Sequence, residues 1–182
     1  QTEEHKQIIN KVTEATGISG NIFSTGQLKS YMRTPINYYL SQILNQSDIP
    51  SIVIGTGNKD EDGYLCYFCK YGDGAVDLQL ISDLHKSEVY KVAKYLNIPK
   101  SILTAKPSAD LWEDQEDEEE LGFTYDFIEL YTGYYLNLNE DEKERFLGEL
   151  SKSAKEEFME SEKLCTSIHA RNKHKLNGVI NL

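Results

Sequence analysis

Apolar positions along the chain recur first with a helical period and then with a strand period. Residues 3–16 place Ile8, Ile9, Val12 and Ala15 at helical spacing, and Gly17 supplies a stop. A polar connection containing Gly and Ser runs to Gly26. Residues 27–46 predict a second helix, with Leu28, Met32, Ile36, Tyr39, Leu40 and Ile43 on one side. Pro35 sits inside it and has no backbone donor, which predicts a kink or a break. Behind Pro50, residues 51–55 form a β-branched run that reads as a buried strand, and residues 56–63 read as the loop that ends it.

Residues 64–71 are rich in aromatics and compatible with extended chain; residues 72–74 make a turn. Val76, Leu78 and Leu80 then alternate along a strand over 76–81. Ser82 or Asp83 is placed to cap the next helix, whose apolar stripe is Val89, Val92, Ala93 and Leu96. Two further helices are expected over roughly 124–136 and 140–163, the second with Asn139 as N-cap. From Cys165 the tail is basic, and it ends over residues 178–182. Alternating strand, loop and helix predict an α/β fold with a parallel sheet, in one domain spanning residues 1–182. The visible strands are few for a sheet covered on both faces, which predicts that part of the sheet is missing from this chain.

Charge narrows the function classes. The formal net charge is -11, with acid concentrated over residues 113–120 and 140–144, which opposes a nucleic-acid footprint. No apolar run approaches bilayer length and no signal peptide opens the chain, so a cytoplasmic protein without membrane contact is expected. The three cysteines, Cys66, Cys69 and Cys165, read as reduced thiols. Cys66 and Cys69 form a C-x-x-C with no second pair, and on an extended strand they would point to opposite faces, which excludes a zinc or redox site. His169 and His174 have no carboxylate at ligand spacing. The chain opens on Gln1 rather than Met and reads as a fragment or processed product.

Candidate chemistry sits where an open parallel sheet usually binds ligands, in the loop after the buried strand. That loop holds the hydroxyl of Thr56, the carboxylate of Glu61 and two glycines, Gly57 and Gly63. A hydroxyl can bond a nucleotide and a carboxylate can hold a hard cation; a polar turn with solvated acids accounts for the same residues, and both readings stand at this point. Lys70, Lys86 and Lys106 each lie beside a turn or helix start, where lysines meet phosphate oxygens or simply solvent. Trp112 is either a core anchor or a stacking platform. The acids of residues 113–120 read as a solvated loop or helix start.

Four strings stand in order along the chain: residues 55–61 (GTGNKDE), 70–77 (KYGDGAVD), 106–112 (KPSADLW) and 117–122 (DEEELG). Together they resemble ammonia-dependent NAD synthetase, of the ATP pyrophosphatase superfamily, over nearly the whole chain. The resemblance implies a Rossmann-like fold of the adenine nucleotide alpha hydrolase type. It also implies a ligase that joins ammonia to deamido-NAD through an adenylate formed with ATP and Mg²⁺. It places Thr56, Lys86 and Ser108 at ATP, Glu61 at Mg²⁺, and Arg33, Lys70, Asp77, His174 and Lys175 at deamido-NAD, with no catalytic residue beyond these. A homodimer is implied as well. Tyr31 stands where the family usually has a substrate-binding arginine. The family's Ser-Gly-Gly-x-Asp-Ser phosphate loop does not occur in the 182 residues. The expectation is therefore a C-terminal portion that is inactive alone; the alternative is a non-catalytic binding module that kept this half of the fold.

Overall fold

The computed structural model describes residues 2–179; Gln1 and the tail end over 180–182 lie outside the described residues. Packing divides the chain into two compact units, one of residues 2–56, Phe68–Leu80 and Ala109–Gln115, the other of Gly57–Tyr67, Ile81–Ser108 and residues 116–179.

The first unit opens with α1 (Glu3–Thr16), started by the Thr2 hydroxyl, which accepts the His5 N–H at 3.3 Å, and stopped by Gly17 at φ 71°. Only glycine adopts that left-handed stop at no steric cost. Helix α2 spans Ile22–Gln46 and starts earlier than its apolar stripe suggests, because Asn21 caps the Ser24 N–H at 2.8 Å. It runs through Pro35 without the expected break. Proline costs one ladder bond, but contacts on either side hold the helix. The Thr34 hydroxyl donates to the Tyr71 and Gly72 carbonyls at 2.8 and 2.9 Å, and Ser41 and Asn45 bond the backbone of Ser51.

Strands β1 (Ile54–Gly55) and β2 (Leu78–Gln79) pair in parallel, Ile54 opposite Leu78. Asp77 extends the ladder: its N–H donates to the Val53 carbonyl at 2.9 Å, and its carboxylate accepts the Val53 N–H at 2.8 Å. Both strands are shorter than expected, and β1 is not buried on both faces. Val53 and Gly55 are buried while Ile52 and Ile54 are exposed, and Leu78 and Leu80 are exposed as well. A strand alternates its side chains, so a β-branched run covered on one face only leaves every second residue in solvent.

The second unit has a core of its own. Residues 64–71 are not extended; Lys59–Leu65 form a π-helix, and turns follow it. Helix α3 (Lys86–Tyr95) starts at His85 rather than at Ser82 or Asp83, because Glu88 reaches back to accept the His85 N–H at 2.8 Å. Its stripe is only partly covered, since Val92 and Leu96 are exposed. Helices α4 (Lys100–Leu103) and α5 (Asp117–Leu121) lead to α6 (Tyr125–Gly133), capped by Thr124. The single helix expected over 140–163 is two. Asn139 and Glu142 build a capping box for α7 (Glu140–Glu149), then Leu150 turns extended and Ser151 caps α8 (Lys152–Asn172). Leu65, Ile128 and Cys165 are fully buried, and Phe158 meets Tyr135, Phe146 and Phe127 edge-on at 4.8, 5.3 and 5.4 Å between centroids. Such tilted ring pairs add to the burial of their area.

Candidate functional site

The π-helix is the centre of the candidate site. Asn58 precedes it and its Oδ1 accepts the N–H groups of Asp60 and Glu61 at 2.9 and 3.0 Å. The Asp62 carboxylate lies against Gly57, where a Cβ would displace it. At the other end the orphan carbonyls find partners from α8 and the turn beyond it. His169 Nδ1 lies 2.6 Å from the Tyr64 carbonyl, Asn172 Nδ2 donates to Leu65 at 3.3 Å, and Lys175 Nζ donates to Cys66 at 3.0 Å. Residues 169, 172 and 175 are spaced by a helical turn, so one face of the chain caps three successive carbonyls. The His169 ring also stacks on Tyr64 at 4.3 Å.

Held this way, Glu61 meets Lys86. Its Oε1 lies 2.6 Å from Lys86 Nζ and 2.6 Å from the Tyr125 hydroxyl, which also reaches Asp117 Oδ2 at 2.9 Å. The Lys86 ammonium stands 4.6 Å above the Tyr125 ring. Burial, and then the Glu61 carboxylate, push the Tyr125 phenol far above the usual tyrosine range. Its single proton is therefore permanent at neutral pH and serves two carboxylates. Glu61 and Asp117 offer hard oxygen donors, the chemistry Mg²⁺ takes, so the donor set fits that ion. Beneath this layer Asp60 is fully buried, its oxygens 2.7 Å from His85 Nδ1 and 2.8 Å from Lys86 N. Asp60, His85, Tyr125 and Asp117 were not legible as site residues. Asp60 and His85 are each next to a candidate residue, Tyr125 lies in a stretch expected only to be helical, and Asp117 is hidden in a run of acids.

The other candidates divide between the units. In the second, Ser108 is exposed; Lys106 sits in an exposed ion pair with Glu116 at 2.6 Å, and that bond raises its pKa. His174 is exposed with Nδ1 2.9 Å from the Arg171 carbonyl. In the first, Thr56 is exposed directly after β1 and Arg33 is exposed on α2. Lys70 lies over the Tyr71 ring at 5.6 Å. Asp77 binds Val53 N and, at 3.2 Å, the Tyr38 hydroxyl, so its carboxylate braces β1 and α2. Tyr31 is raised above its usual range, first by a hydrogen bond with Cys69 and then by burial. Trp112 is half-buried and tilted against Phe23 at 6.5 Å, an anchor rather than an open platform. Cys66, Cys69 and Cys165 are all buried and free. Residues 66–69 follow the π-helix and are not extended, so the opposite-faces argument against a Cys66–Cys69 site does not apply to this fold.

A family model described as NAD synthase matches residues 2–178. The chain is 43% identical to the NH(3)-dependent NAD(+) synthetase of Picrophilus torridus over 125 residues, 68% of this chain and 47% of that protein. It is 47% identical to the NH(3)-dependent NAD(+) synthetase of Methanococcoides burtonii over 104 residues, 57% of this chain and 37% of that one. The chain thus spans about half the length of the curated relatives it matches. Among solved structures it superposes on the NMN synthetase of Francisella tularensis with a TM-score of 0.73 at 30% identity, covering 97% of this chain and 63% of that one. The NH3-dependent NAD synthetase of Campylobacter jejuni gives 0.64 at 23% identity, covering 97% and 62%, a likeness of fold. With these strings, this Rossmann-like α/β fold and a match over nearly its whole length, the chain belongs to the NAD synthase family.

Proposed function

We propose that this chain is the C-terminal part of an ammonia-dependent NAD synthetase. In that reaction the nicotinate carboxylate of deamido-NAD attacks the α-phosphate of ATP, releasing pyrophosphate and leaving an adenylate. Ammonia then displaces AMP and the amide remains. The observation that carries the reading is the Glu61–Lys86 contact of 2.6 Å, which joins the carboxylate read as the cation ligand to the ammonium read as the phosphate ligand. The side chains come from segments 25 residues apart, brought together by fold rather than by sequence.

In this reading Glu61 would hold Mg²⁺, which when bound neutralises charge developing on phosphate oxygens. Lys86, Thr56 and Ser108 orient ATP. Arg33, Lys70, Asp77, His174 and Lys175 grip deamido-NAD. The working form is a cytoplasmic homodimer with ammonia as the nucleophile at this site. A second reading, amidation of the corresponding mononucleotide acid to NMN, draws support from the likeness to the Francisella tularensis structure at 30% identity.

The test is an assay of the purified chain with ATP, Mg²⁺, ammonium and either acid, alone and with a loop-bearing N-terminal half of a family member. The chain alone should form no product, because backbone donors of the absent loop are what cradle phosphates. The reconstituted pair should form NAD. Turnover by the chain alone refutes the partial-enzyme reading. NMN formed in preference to NAD selects the second reading, and a well-assembled pair that amidates neither acid refutes both.

A further inference from the structure

Residues 58–61 and 84–86 are joined by a set of bonds with Asp60 and His85 at its centre. Asp60 is 0% exposed and His85 9%. One Asp60 oxygen takes the His85 Nδ1–H at 2.7 Å, and the other takes the Lys86 N–H at 2.8 Å. His85 Nε2 faces Lys59 Nζ at 3.0 Å, so its lone pair accepts from the ammonium, and this fixes the Nδ1–H tautomer. The Lys59 N–H in turn donates to the Leu84 carbonyl at 2.9 Å. A buried carboxylate persists only when both oxygens are satisfied, and here both are satisfied from the start of α3.

The arrangement has a geometric consequence. Glu61 follows Asp60 and Lys86 follows His85, so locking the first pair fixes the register of the second. We propose that Asp60 and His85 are a positioning pair that sets the Glu61–Lys86 couple, acting through those two residues and touching no ligand. A carboxylate and histidine behind functional side chains hold them in orientation in the same way that outer partners orient metal ligands. The proposal rests on the reading above only in taking Glu61 and Lys86 as the residues that meet cation and phosphate.

Two readouts on the 182-residue chain separate the proposal from that reading. The first is the side-chain NH3⁺ cross-peak of Lys86 in heteronuclear NMR, seen only while the ammonium is held and shielded from exchange, and assigned by its disappearance in Lys86→Arg. The second is Mn²⁺ affinity by electron paramagnetic resonance, with Glu61→Gln defining the site. His85→Phe keeps ring bulk and the Asp60 charge but removes the donor; His85→Asn keeps a donor near the Nδ1 position. The cross-peak should persist in the parent and in His85→Asn, and vanish in Asp60→Asn and His85→Phe. The Mn²⁺ dissociation constant should rise roughly ten- to a hundredfold in Asp60→Asn and His85→Phe and stay near the parent value in His85→Asn. If circular dichroism shows one of the two disabling variants unfolded, the other decides. A persisting cross-peak in a folded Asp60→Asn or His85→Phe overturns the proposal, as does its loss in His85→Asn. Mn²⁺ binding indifferent to Glu61→Gln would instead sink the cation reading, and the cross-peak would still judge the pair.

Discussion

The two compact units differ in where their apolar side chains go. In the second, Ile128, Phe158, Tyr131 and Cys165 close over one another and are 6% exposed or less. In the first, Ile36, Tyr39 and Leu40 on α2 and Ile52, Ile54 and Leu80 near the sheet are each about half exposed or more. Both units satisfy the same periodic patterns. Periodicity marks which face of an element is apolar, and only the chain packed against that face decides whether it is a core.

That contrast breaks or holds on matched truncations. Phe158→Ala should cost about 3–5 kcal/mol in urea unfolding, because it removes a ring packed against several others. Leu40→Ala, at a residue 52% exposed, should stay within about 0.5 kcal/mol. Equal costs would mean that the α2 face is covered in solution. Next in size is Gly26→Ala, which tests whether the first unit is tight anywhere. The added Cβ would lie 2.9 Å from Trp112 Cε3 and 3.0 Å from Leu111 Cβ. It should cost about 1–3 kcal/mol and shift Trp112 fluorescence; a silent substitution would show a contact that yields.

The smallest effect is a pH slope. Burial, then Glu162, push the Cys165 thiol up to about 12. The fold thus favours the neutral thiol, while an unfolded thiol ionises at about 8.5. The contribution of this group is constant below that pH and declines as pH rises toward the folded value. Between those limits the stability of Cys165→Ala should fall less steeply with pH than that of the parent. Parallel slopes would mean the thiol is reached by solvent.

Helices were the most legible elements where a cap sits beside the pattern: Gly17 stops α1, and Asn139 starts α7. Ser82 and Asp83 are good caps by type, yet the reach of Glu88 starts α3 at His85. Residues 56–63 have the composition of a loop and the aromatics of 64–71 suit a strand; caps from α8 at long sequence separation hold Lys59–Leu65 helical instead. In the site, the resemblance implies Glu61, inside the first string, and Lys86, outside all four, one by one; their meeting has no pattern in sequence, since it is the buried Asp60–His85 pair that joins their segments.

The measurement that bears most directly on the proposed reaction is NAD formation by the reconstituted enzyme carrying Glu61→Gln, followed across a range of Mg²⁺. Removing one carboxylate from a hard-cation site weakens the ion's hold while barely changing volume. We predict activity well below the parent at low Mg²⁺ that recovers in part as Mg²⁺ is raised. Activity equal to the parent's at every Mg²⁺ concentration would contradict it, and would leave Glu61 a loop acid whose contact with Lys86 is structural alone.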